Sequence, residues 1–133
     1  MVGTFLERRL MAEYLLSLES CYQSIESLAL ELQNESDSDL SAGIYRQSVD
    51  GVLSSRHFEN GDFLRTNSAP AECKQLSTHL CNCQPILVDL KQLLAQESSP
   101  STTQLQSFGS KLAPLVDELW TSLESLLRAV KEN

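Results

Sequence analysis

Three residues in the second half of the chain have the chemistry of a metal site. His79, Cys81 and Cys83 occur as His-Leu-Cys-Asn-Cys, and imidazole and thiolate groups are common zinc ligands. Zinc takes four ligands that converge as a tetrahedron, typically from paired positions. Residues two apart on a helix point to different sides, and the chain has no second cysteine pair. We therefore expect no metal site: Cys83 and Cys73 should pack as small apolar side chains, with Cys81 more exposed.

The two histidines, His57 and His79, do not mark a catalytic site at the level of sequence. No Ser-His-Asp arrangement can be read from residue order, because such triads are defined by geometry. No Glu-x-x-His pair supplies ligands for a di-iron bundle, and the five glycines are scattered rather than grouped in a phosphate-binding loop. His79 flanks an apolar stripe, which favours packing at the edge of the core over general-base catalysis. We expect no cofactor and no enzymatic activity.

Length and charge restrict the class of protein and its partners. The 133 residues correspond to one domain, and 41% apolar residues allow a core without disulfides or metal. The chain has 18 acids and 10 bases, a net charge of −8. Nucleic acid is therefore disfavoured as a partner, since phosphate binding requires a concentrated positive surface. A basic partner surface is the milder expectation. No apolar run approaches the ~20 residues of a membrane span.

The cysteines and the first residues lead to an expectation about the compartment. The start, MVGTFLERRL, becomes charged at Glu7 before an apolar run develops, so we expect no signal peptide. A reducing cytoplasmic or nuclear setting follows, in which the four cysteines remain free thiols.

The clearest structural signal is the C-terminal stretch from Leu105 to Val130. Its apolar residues recur at steps of three or four, the repeat of one helix face: Leu105, Phe108, Leu112, Leu115, Val116, Leu119, Leu123, Leu126 and Val130. Such a stripe must be buried against other helices. The pattern predicts a helix over residues 103–131.

Similar patterns predict three further helices, over residues 5–33, 39–56 and 69–96. In the helix predicted over residues 69–96 the apolar phase continues across Pro85, which predicts a kink rather than two helices. The short second helix is the weakest. Its apolar positions are Leu40, Ile44, Tyr45, Val49, Val52 and Leu53. Gly43 and Gly51 each cost it about 1 kcal/mol relative to alanine.

Three long helices and one short helix, joined by polar breaks, predict an all-α fold, an antiparallel four-helix bundle. A helical assembly completed by a partner chain fits the same pattern. Residues 57–68 form the longest predicted connection, in which Asn60-Gly61 is a turn signal.

Apolar residues outside the main stripes are the best candidates for partner binding. Trp120 and Leu127 lie one heptad apart on the last helix, and Leu16 and Leu30 lie two heptads apart on the first. Tryptophan is enriched in interface hot spots. The alternative is a wider core that includes Trp120, together with ordinary exposed leucines.

The predicted loop over residues 57–68 supplies three more candidates. Phe58, Phe63 and Arg65 lie in it, and binding residues concentrate in loops on rigid scaffolds. The alternative is that its apolar residues fold back over the end of the bundle.

These observations favour a non-enzymatic helical interaction module, a subunit or adaptor of a larger intracellular complex. It would bury apolar helix faces against a protein partner, or against a second copy of itself, with acidic faces biasing the choice. The alternative is a bundle that holds an apolar small molecule or lipid between its helices, with Pro85 and Pro114 splaying two of them. A small enzyme ranks third.

Overall fold

The computed structural model describes residues 5–36, 38–55, 58, 71–96 and 100–132. In this part the chain forms four helices, α1 (Phe5–Gln33), α2 (Ser38–Leu53), α3 (Ala71–Gln96) and α4 (Thr102–Glu132). The predicted all-helical bundle is therefore confirmed, with three long helices and one short one. Both internal prolines, Pro85 and Pro114, lie inside continuous helices. None of the described helices combines the length and apolar content needed to cross a bilayer.

Each helix runs antiparallel to its neighbours along the chain. Tyr45 of α2 hydrogen-bonds α1 near its C-terminal end, and Arg46 of α2 reaches the carbonyl oxygen of Leu94 near the end of α3. The first and last helices are also neighbours, because Tyr22 of α1 stacks on Trp120 of α4. The helices therefore follow one another around the bundle, and the most extensive contact is between α1 and α4.

The core is formed by the predicted apolar stripes of all four helices. The largest fully buried side chains are nearly all leucines: Leu15, Leu18, Ile25, Leu28, Leu32, Leu76, Leu87, Leu90, Leu94, Leu105, Leu112 and Leu119. A fully buried leucine contributes roughly 1.5–3 kcal/mol relative to an exposed one, so these stripes drive the association of the helices.

Ile44 is one of the helically spaced apolar positions of α2, but it does not face the core. Its side chain is 59% exposed, whereas Tyr45, Val49 and Val52 are buried. Because each residue turns the helix by about 100°, the spacing of the three buried residues places Ile44 well to one side of the inward face.

The start of α4 is fixed by a reciprocal pair of hydrogen bonds. The amide of Gln104 donates to Oγ of Ser101 over 3.1 Å, and the amide of Ser101 donates to Oε1 of Gln104 over 3.0 Å. This is the capping box, which satisfies amide groups that a helix N-terminus otherwise leaves without a partner.

Candidate partner-binding face

The structure brings His79 together with a serine and a carboxylate at the α3–α4 contact. Nε2 of His79 lies 3.1 Å from Oγ of Ser122, and Nδ1 lies 3.7 Å from Oε2 of Glu118. These are the residue types of a hydrolase triad, but Ser122 lies inside the continuous helix α4. The surrounding backbone amides donate within the helix, so they are not available to stabilise an oxyanion. The arrangement is a polar contact between two helices.

Cys81 and Cys83 have the exposure that the sequence predicts. Cys83 and Cys21 are buried, Cys81 is exposed, and all three are free. Burial raises the pKa of the Cys83 thiol to about 11. Burial also raises the pKa of Cys21, partly offset by a hydrogen bond with Ser55 across 3.8 Å. The reactive thiolate form is therefore disfavoured at both buried sites.

Among the described residues, no group of three or more His, Cys, Asp or Glu side chains could hold a metal ion. His57 lies outside the described residues, and so does the side chain of Cys73.

Trp120 and Leu127 belong to the core or its edge. The Trp120 ring is half-buried and stacks on Tyr22, with ring centroids 4.9 Å apart and planes inclined by 24°. Tyr22 is itself fixed by the hydrogen bond that its hydroxyl donates to Glu26 over 2.5 Å. Leu127 is 5% exposed and lies in the core. The wider core that the sequence left open as an alternative describes both residues.

The predicted loop candidates are only partly described. Phe58 is half-buried and packs against the core, which agrees with a side chain that folds back over the bundle. Phe63 and Arg65 lie outside the described residues.

Leu16 and Leu30 are the predicted candidates that the structure leaves exposed. Each has 53% of its side chain accessible to solvent. They are 14 residues apart on α1, which places them on one face, about 21 Å apart along the helix axis.

The residues between these two leucines complete a narrow seam. Leu16, Ser20, Gln23, Ser27 and Leu30 follow one another at steps of four, three, four and three, and all five are exposed. This spacing is that of the seam along which one helix packs against another in a coiled coil. We call these five residues the α1 outer seam.

An open groove runs beside the outer seam, between α1 and α2, with a volume of about 810 Å³. It is lined on α1 by Ser17, Ser20, Cys21, Gln23, Ser24, Ser27, Leu28 and Glu31, and on α2 by Gln47, Ser48, Gly51, Val52 and Ser55. The serine side chains and Gly51 are small, so they project little from the two helices into the groove. The outer seam and this groove together are the candidate docking face.

The sequence pointed to part of this face and missed the rest. Leu16 and Leu30 were identified because they fall outside the inward stripe of α1. The groove was missed, although the serines at 17, 20, 24 and 27 recur at helical spacing. That recurrence of small polar residues was the available signal.

Comparisons of the chain with protein-family models, with curated proteins and with solved structures found no match.

Proposed function

We propose that this protein is a non-enzymatic interaction module that docks a helix of a partner protein on the α1 outer seam and in the adjacent groove. The observation that carries this proposal is the exposure of Leu16 and Leu30 on one face of α1, 53% each. Two helices that pack along a seam use positions that recur at steps of three and four residues, as the α1 outer seam does. The chain would then act as a subunit or adaptor of a larger complex.

The dimensions of the face suit one helix. The two leucines are about 21 Å apart, close to four helical turns. A helix docked on them would bury the roughly half of each leucine that is now exposed. The seam between them has only Ser20, Gln23 and Ser27. The short side chains of Ser20 and Ser27 permit a closer approach of the two axes, at the lower end of the usual 8–10 Å.

The groove does not favour the alternative of an apolar ligand. It is open to solvent, and only about half of its lining surface is apolar, because most of the lining residues are Ser, Gln or Glu. Sites for apolar small molecules are enclosed and lined mostly by apolar side chains.

Site-specific crosslinking tests the docking face directly. A photoreactive residue, p-benzoylphenylalanine, is placed at Gln23 in the centre of the seam and, as the control, at Gln92, which is exposed on α3. In the cells that produce the protein, we expect irradiation to give an adduct of defined mass from position 23 only. The combined change Leu16→Ser and Leu30→Ser should abolish it, because the apolar anchors are lost. Equal adducts at both positions, or none at position 23, would exclude this face.

Two glycines of α2 provide a second test, which separates docking from stability. A Cβ built on Gly43 or Gly51 meets no atom within 4 Å, and only Gly51 lines the groove. Gly51→Gln and Gly43→Gln should each raise the free energy of unfolding by about 0.5 kcal/mol, since glycine is a poor helix former. Urea unfolding measures this gain. Only Gly51→Gln should lower the adduct yield at position 23, because its side chain enters the groove. An unchanged yield would remove the groove from the docking face.

A further inference from the structure

We infer that the helix docked on the α1 outer seam is basic, with Lys or Arg along both of its edges. This inference rests on the proposed docking function and adds the chemistry of the partner. It follows from the positions of the acidic residues of α1 relative to the seam, and from the small number of bases beside them in the described part of the chain.

Acidic residues follow both edges of the outer seam. From Arg9 to Gln33, α1 has four acids and one base. Glu19 and Glu26 are seven residues apart and lie along one edge, while Glu13 and Glu31 are 18 residues apart, five full turns, and lie along the other. A helix packed on the seam would meet both rows, as the flanking positions of a coiled coil do.

The basic side chains in the described part of the chain do not neutralise the two acidic edges of the seam. Arg9 forms an ion pair with Glu13, across 3.5 Å. On α2, Arg46 donates to the carbonyl oxygen of Leu94 on α3, away from the groove. No described ion pair includes Glu19 or Glu31. Glu31 is exposed and lines the groove.

The same arrangement disfavours a second copy of this chain as the occupant. If two outer seams packed together in either orientation, each acidic edge would face an acidic edge of the other copy. Juxtaposed like charges destabilise a complex and exclude wrong partners. Cations on the partner helix would instead favour association, by a modest amount for each exposed pair and more strongly at low salt.

Three synthetic helical peptides test the charge of the partner. Each has about 21 residues, three heptads, with the same alanine and leucine seam, and the edge positions are all Lys, all Gln or all Glu. Their dissociation constants for the intact protein are measured by fluorescence anisotropy at low and at physiological salt. We expect the Lys peptide to bind roughly three- to tenfold more tightly than the Gln peptide, and the Glu peptide most weakly. The difference should narrow as salt increases.

Two charge-matched variants show whether the preference arises at this face. Glu19→Gln with Glu31→Gln should abolish the advantage of the Lys peptide, whereas Asp89→Asn with Glu124→Gln, on α3 and α4, should leave it intact. Equal binding of the Lys and Gln peptides, with both lost in the Leu16→Ser and Leu30→Ser variant, would overturn the inference and leave the docking function standing. If no peptide binds, the inference also falls, and the crosslink at position 23 decides the docking function separately.

Discussion

Replacing Gly109 by alanine should lower the free energy of unfolding by about 2 kcal/mol, although alanine is the better helix former. A Cβ at this position would lie 2.7 Å from the backbone nitrogen of Gln33 and 2.9 Å from the carbonyl oxygen of Ala29. Both atoms belong to the backbone of α1, so the clash cannot be relieved by turning a side chain. Overpacking of this kind costs about 3 kcal/mol at the upper end of its usual range, and the gain in helix propensity offsets about 1 kcal/mol.

The same substitution at Gly43 is the matched control for Gly109→Ala. Gly43 also lies inside a helix, but a Cβ there meets nothing within 4 Å, so Gly43→Ala should raise the free energy of unfolding by about 1 kcal/mol. Urea unfolding followed by circular dichroism measures the free energy of unfolding of both variants. The slope of this free energy against urea concentration should be the same for the two. If Gly109→Ala stabilised the protein as Gly43→Ala does, the close approach of α1 to α4 would be refuted.

The extent and order of the helices could be predicted because each depends on information within one segment. The predicted stripe of α4 repeats from Leu105 to Val130, and the structure buries Leu105, Leu112, Leu119 and Leu123. The start of α4 could even have been placed at Thr102, since Ser101 and Gln104 form the S-x-x-Q pattern of a capping box. Ile44 shows that an apolar residue at helical spacing need not lie on the buried face of a short helix.

Contacts between helices could not be predicted in the same way. The periodicity of α4 places Trp120 beside its stripe, but only the neighbouring Tyr22 of α1 shows that the ring lies at the edge of the core. Gly109 is likewise an ordinary interruption of a helical pattern until α1 is placed against it. The exposure of Leu16 and Leu30 was predictable, because they lie opposite a strong stripe of their own helix. The groove depends on how far α2 stands from α1, which no single segment specifies.

A buried carboxylate at the end of α1 joins three helices. Glu35 is 7% exposed, and its Oε1 accepts a hydrogen bond from the amide of Ser36 over 3.1 Å. Its Oε2 accepts from the hydroxyl of Tyr45 on α2, which also lies 3.0 Å from the carbonyl oxygen of Glu31. The side chain of Gln106 on α4 donates to the backbone carbonyl of Glu35 over 2.9 Å. Because a polar group in the interior requires such partners, the network should be sensitive to the loss of any member.

Replacing Glu35 by alanine should therefore lower the free energy of unfolding by about 2–3 kcal/mol, since each buried polar group left without its partner costs about 1–3 kcal/mol. Glu35→Gln keeps the shape and should cost less, about 1 kcal/mol. Tyr45→Phe removes the hydrogen-bond donor of the same pair, and its effect should not add to that of Glu35→Ala, because both changes break the same bond.

Glu124→Gln is the control, since Glu124 pairs with the exposed Arg128. This substitution should lower the free energy of unfolding by less than about 0.5 kcal/mol. Urea unfolding measures the free energy of unfolding of all four variants and of the double variant Glu35→Ala with Tyr45→Phe. Fully additive losses of this free energy would show that the network does not hold the end of α1 against α2. A loss in Glu35→Ala no larger than that in Glu124→Gln would show the same.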